Sequence, residues 1–157
     1  MPKIVPCLWY DHQAVEAAQF YVSVFKNSRI LDVTKYGEAG PGPVGSVMTV
    51  SFALDGQEFV GLNGGPVFTF SEAISFQVGC ETQDEVDYFW EKLSDGGAKG
   101  QCGWLKDKYG VSWQIVPTIL PRLLRDKDPA RSQRVTKAML QMTKLDIARL
   151  KQAYDNS

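Results

Sequence analysis

A chain of 157 residues with a hydrophobic fraction of 44% is long enough for one domain with its own core. Its formal net charge of -1, with 17 Lys and Arg against 18 Asp and Glu, leaves no basic footprint for nucleic acid or an anionic membrane surface. No stretch approaches the ~20 apolar residues of a membrane span, and the opening Met1 to Pro6 has no long apolar segment, so a cytoplasmic protein with small-molecule or protein partners is expected.

The first strand candidate is Val5 to Tyr10. From His12 to Phe25 the apolar residues Ala17, Phe20, Tyr21 and Val24 fall at i, i+3, i+4 and i+7, which predicts a helix with Asp11 as its N-cap. His12, the single histidine, then faces solvent or the helix entrance, and Phe20 reads as core. Residues 36–45 carry Gly37, Gly40, Pro41, Gly42, Pro43 and Gly45 and predict a loop that edges or covers a site. Ser46 to Leu54 and Gln57 to Leu62 then flank Asp55-Gly56 as a hairpin.

The same order follows a second time. Ile74 to Cys80 is a strand candidate, and Thr82 to Leu93 predicts a helix in which Val86, Phe89, Trp90 and Leu93 each stand 69 positions after their counterparts in the first helix. Thr82 with Glu85 spells a capping box, and Gly96-Gly97 stops the helix. Gly103 to Lys106 and Val111 to Val116 flank a turn at Tyr109-Gly110. After Pro117 the pattern changes. Asp128-Pro129 starts a helix with Val135, Ala138, Met139 and Met142 on one face, and Thr143 with Asp146 caps a last helix carrying Ile147, Leu150 and Tyr154.

These elements imply an α+β fold: paired βαβββ modules forming curved mixed β-sheets, plus C-terminal helices, in one domain over residues 1–157. Module one covers about 1–66, module two about 73–117 and the helical tail about 128–155. Half-sheets of this kind leave apolar edges and faces to bury, so a homodimer is expected. Cys7, Cys80 and Cys102 are odd in number and form no CxxC pair, and they read as reduced thiols.

Several strings stand in order along the chain: Leu8-Trp9-Tyr10-Asp11, Ala18 to Phe25 with Lys26-Asn27-Ser28, Leu62 to Pro66, Cys102 to Asp107, Gly110 to Pro117, and Met142 to Ile147. In these the chain resembles the PhnB-like branch of the vicinal oxygen chelate superfamily, which includes glyoxalases, bleomycin-resistance proteins and dioxygenases. Members of that branch often carry the label 3-demethylubiquinone-9 3-methyltransferase. The sequence shows no Gly-rich strand-to-helix turn of the kind that binds S-adenosylmethionine; its nearest glycine cluster is broken by Pro41 and Pro43 and leads into a strand.

The resemblance further implies where a metal would bind, because metal-using members take one ligand from each of the first, fourth, fifth and eighth strands. Matching strand by strand puts Ile4, Gly61, Ser75 and Gln114 there. Two of these have no ligating side chain, a Ser hydroxyl is a poor ligand, and one amide oxygen does not hold a transition metal, so no metal and no other cofactor is expected.

The remaining candidates are residues for a small-ligand pocket on the inner sheet faces: Gln114, Asn63, Ser75, Trp104, Trp113, Trp9 and Cys102. Each also has a plain structural reading. The tryptophans are equally core residues, Asn63 is a turn residue before a Gly pair, and Cys102 is an inert thiol. Strand alternation sets Gln114 and Trp113 on opposite faces, so only one of them faces a given cavity; Gln114 ranks first. The surface carboxylate pairs Asp84 with Glu85 and Glu91 with Asp95 read as solvated charge. The leading expectation is a protein that binds an unknown small organic molecule. The alternatives are a PhnB-like enzyme of lyase, dioxygenase or transferase chemistry on a small organic substrate, and a structural role through the dimer.

Overall fold

The βαβββ order expected from the 69-residue repeat occurs twice in the computed structural model, which describes residues 2–156. The chain divides between Phe70 and Ser71 into two compact units.

In the first unit β1 (Cys7–Tyr10) is followed by α1 (Ala14–Val24), β2 (Arg29–Lys35), β3 (Val47–Leu54) and β4 (Gln57–Asn63). The sheet order is β1-β4-β3-β2, with β1 parallel to β4 and the other pairs antiparallel. Asp55-Gly56 makes the β3–β4 turn with positive φ at both residues, as that dipeptide predicts. Alternation sorts the residues into two layers. Val50, Phe52, Leu54 and Phe59 lie buried with Ala14, Ala17 and Tyr21 of α1, and Phe52 stacks on Phe59 at a centroid distance of 5.4 Å. On the opposite face the register aligns Trp9, Leu62, Thr49 and Thr34, and the last two share a hydroxyl hydrogen bond of 2.6 Å.

Two expectations change in this unit, and one strand was unread. The N-cap position of α1 is Gln13, not Asp11, and it makes no side-chain cap bond; instead Asn63 Oδ1 accepts the Ala14 N–H at 2.8 Å from the end of β4. Phe20 is only half-buried, because small Ala14, Ala17 and Ala18 bring the helix close to the sheet and leave the larger ring at its margin. The edge strand β2 was not legible as a strand, since every one of its residues is exposed and no apolar alternation marks it.

The second unit repeats the layout with β5 (Phe76–Cys80), α2 (Gln83–Ser94), β6 (Ala98–Lys99), β7 (Trp104–Lys106) and β8 (Ser112–Pro117), in the order β5-β8-β7-β6. Thr82 caps α2 by accepting the Glu85 N–H at 3.2 Å, and Glu85 Oε1 accepts the N–H of Glu81. Val86, Trp90 and Leu93 of α2 are buried, as are Val78, Leu105, Trp113 and Ile115 of the sheet.

The tail folds as α3 (Ile119–Leu124), α4 (Pro129–Leu140) and α5 (Ile147–Asp155) around a core of Leu120, Leu123, Val135, Met142, Leu145 and Leu150. Asp128 caps α4 and Asp146 caps α5, whereas Thr143 caps nothing: its carbonyl accepts the Gly103 N–H at 2.8 Å. Met142 lies after α4 and not on its face. The short α3 went unread because its six residues span less than two helical turns. Among the described residues no helix is long and apolar enough to cross a membrane.

Candidate functional site

Gln114 lies on β8 with Trp104 of β7 as its cross-strand partner on one side and Gln77 of β5 on the other. These three side chains form one row on the sheet face opposite the buried Val78, Leu105 and Ile115. The Gln114 amide donates to Ser75 Oγ at 2.8 Å, and the Gln77 amide lies 3.4 Å from Gln114 Oε1. The fold thus brings together Gln114, Ser75 and Trp104, and adds Gln77, which the sequence reading missed. Its signal was available: Gln77 stands on the same strand parity as Ser75.

Trp113 points the other way. It is 3% exposed, and its indole N–H donates to Asp107 Oδ2 at 2.9 Å, while Asp107 Oδ1 accepts the N–H groups of Tyr109 and Val111. Trp113 is therefore a core residue, on the face opposite Gln114. Cys102 sits half-buried in the turn before Trp104 with φ of 57°, its backbone N–H bonded to Met142 O.

The first unit holds the other two candidates on opposite faces of its sheet. Trp9 lies on the open face, donates its indole N–H to Gly65 O at 2.9 Å and meets Phe68 edge-on at 4.9 Å. A Cβ at Gly64 would fall 2.4 Å from the Trp9 ring, so glycine is required there by close approach. Asn63 faces the start of α1, where both ends of its amide are engaged, by Ala14 N–H and by Val47 O.

The strand-by-strand metal matching also needs correction. Ile4 precedes β1 and is 84% exposed, and Ser75 precedes β5. A Cβ at Gly61 would meet Ala14 and Val50, so that position faces the helix and not the open side. On β4 the open-face positions are Glu58, Val60 and Leu62, and of these only Glu58 carries a group able to ligate a metal. Among the described residues no three His, Cys, Asp or Glu side chains are grouped to hold a metal ion. Asp84, Glu91 and Asp95, on or beside α2, are exposed, and Glu91 pairs with Lys99 at 3.0 Å, whereas Glu85 is engaged at the N-terminus of α2. Burial, with a smaller push from Glu85, raises the Cys80 thiol to about 12, which makes it unreactive at neutral pH.

Two mixed sheets in βαβββ order, each with a helix on one face and a row of side chains on the other, define the class of fold. The family model described as 3-demethylubiquinone-9 3-methyltransferase matches residues 2–116. The chain belongs to this family, the PhnB-like branch of the vicinal oxygen chelate superfamily. A solved PhnB protein from Bacillus cereus is 40% identical over 74% of this chain and 100% of its own, with a TM-score of 0.68. A Pseudomonas aeruginosa protein with a TM-score of 0.62 and 16% identity, covering 74% of this chain and 98% of its own, shares the fold. So does an Arabidopsis thaliana protein with a TM-score of 0.50 and 18% identity, over 74% of this chain and 98% of its own. No curated protein matches the chain. The family match ends at residue 116, so α3, α4 and α5 lie beyond it.

Proposed function

We propose that the open face of the second sheet binds a small planar organic molecule, without a resident metal ion, through hydrogen bonds to the Gln77 and Gln114 amides and stacking on Trp104. The observation that carries this reading is the cross-strand row itself, in which two carboxamides and an indole share one face. A carboxamide offers two donors and an acceptor, and the bonds from Gln114 to Ser75 and from Gln77 to Gln114 orient the pair while leaving capacity for a ligand. Neutral amides and a hydroxyl are donors for an organic ligand and poor ligands for a transition metal, which is the support for a metal-free site. No ionisable base stands in the row, which favours binding over turnover.

The methyltransferase description belongs to the family model. The first unit's strand-to-helix turn, Asp11-His12-Gln13, contains no glycine, and its sheet is mixed, which gives no support to a nucleotide-type cofactor site. We also infer a homodimer located in the cytosol. The exposed edge strand β2, with Ile30, Leu31 and Val33 each 36–40% exposed, supports the first, and three free thiols support the second. Native mass measures the first directly: a dimer is expected, and a monomer at micromolar concentration contradicts it.

The binding proposal is tested by ligand-observed NMR with a panel of planar hydroxyaromatic acids and amides. Compounds that bind the native chain are expected to bind Gln114→Ala about fivefold more weakly, the effect of one lost polar contact. Affinities unchanged by Gln114→Ala and by Gln77→Ala would remove this face from the account.

A further inference from the structure

A cavity of about 520 Å3 opens in the first unit between the start of α1, the residue 37–46 loop and the Asn63-Gly64-Gly65 turn. Its size falls within the range of small-molecule pockets. Asn63 joins its walls. The side-chain oxygen takes the first N–H of α1, the side-chain N–H donates to Val47 O, and the backbone carbonyl accepts the Tyr36 hydroxyl.

The loop is equally fixed. Tyr36 N–H donates to Ser46 O at 2.8 Å and Gly45 N–H to Tyr36 O at 2.9 Å, closing its base. The buried Tyr36 ring packs against Gly40 and Gly42, and a Cβ at Gly42 would fall 2.4 Å from it. The cavity is therefore held open by internal bonds and does not depend on an occupant to form, the condition under which binding costs least.

Charge decides what would enter. The lining residues with chargeable side chains near neutral pH are Asp11 and His12, whose Oδ2 and Nδ1 lie 3.5 Å apart; among the described residues no Lys or Arg lines the cavity. Pro41, Pro43, Val15 and Val47 supply apolar wall. The first α1 N–H, which would favour an anion, is already taken by Asn63.

We propose that this cavity is a second small-molecule site, independent of the Gln114 face, and that it takes a protonated organic amine with an apolar body, the ammonium group paired with Asp11. The sequence marks the Gly- and Pro-rich loop as edging or covering a site, while it assigns His12 to solvent or the helix entrance and Asp11 to a helix cap.

The test is a 15N–1H correlation titration of the whole chain with tryptamine and, as the oppositely charged counterpart, indole-3-propionate. Tryptamine is expected to give saturable shifts at residues 11–15, 36–47 and 63–65, to bind more tightly than the carboxylate, and to lose about threefold to fivefold in affinity with Asp11→Asn. Asp11 is exposed at the surface, so the variant keeps the fold, and its unchanged spectrum elsewhere verifies this. Absence of saturable shifts, an equal or stronger response to indole-3-propionate, or an Asp11→Asn affinity equal to the native one would each overturn the proposal.

Discussion

The buried Asp107 carboxylate accepts the Trp113 indole N–H at 2.9 Å and, with its other oxygen, the backbone N–H groups of Tyr109 and Val111. One side chain thereby satisfies two donors in the β7–β8 turn and one on β8, and it anchors Trp113 on the helix-covered face so that Gln114 is turned to the open one.

Removing that carboxylate leaves three donors without their acceptor. Asp107→Ala is expected to destabilise the protein by about 3 kcal/mol or more. Urea unfolding followed by tryptophan fluorescence measures it, and a loss well under 1 kcal/mol would mean that the turn holds itself without the carboxylate.

Gly64 makes a second stringent position, because the Trp9 ring occupies the space of a Cβ. Gly64→Ala is expected to cost about 1–3 kcal/mol through displacement of the indole, whereas the exposed Gly37, with open space at its Cβ, tolerates alanine. Equal stability of the two variants would contradict the packing described here.

Thiol labelling separates the cysteines. Cys7 is exposed on the open face of the first sheet, while Cys80 is fully buried and its thiol is pushed up to about 12. In the native protein at neutral pH, Cys7 is expected to react with a small disulfide reagent and Cys80 to react only after unfolding; mass mapping of the labelled chain reads the difference.

Acid should loosen the attachment of the tail. Hydrogen bonds from Lys144 and then Gln83 hold the Asp87 carboxyl below its usual 3.8, and Gln83 also bonds Leu145 O and the Ile147 N–H at the start of α5. A depressed folded value means that this stabilisation is complete above the ordinary Asp value and is lost as pH falls through the folded one. Amide exchange at residues 144–147, taken relative to the intrinsic rate at each pH, is expected to accelerate below about pH 4 in the native chain. In Asp87→Asn the acceleration should be smaller; an identical acid response in both would place the sensitivity elsewhere.

Much of the fold was legible because its signals are local. The 69-residue repeat of helix faces, the Thr82 and Glu85 capping box, Asp55-Gly56 and Asp128-Pro129 each specify their own element. β2 carried no periodicity, and α1 takes its cap from Asn63, distant in sequence, which no local pattern reveals. The site was legible only in part. Alternation put Gln114 and Trp113 on opposite faces, but the choice between them depended on Asp107; parity with Ser75 marked the face of Gln77, and the β5–β8 register set it beside Gln114. The metal matching misplaced Gly61 because counting along strands does not say which face a glycine presents.

The central claim is that the open face of the second sheet, with its row of Trp104, Gln114 and Gln77, serves an organic ligand without a resident metal. Metal content of the whole chain, measured by elemental analysis after purification without a metal-affinity tag, tests it most directly. The account predicts no more than traces of any transition metal; near-stoichiometric zinc, nickel, iron or manganese would contradict it.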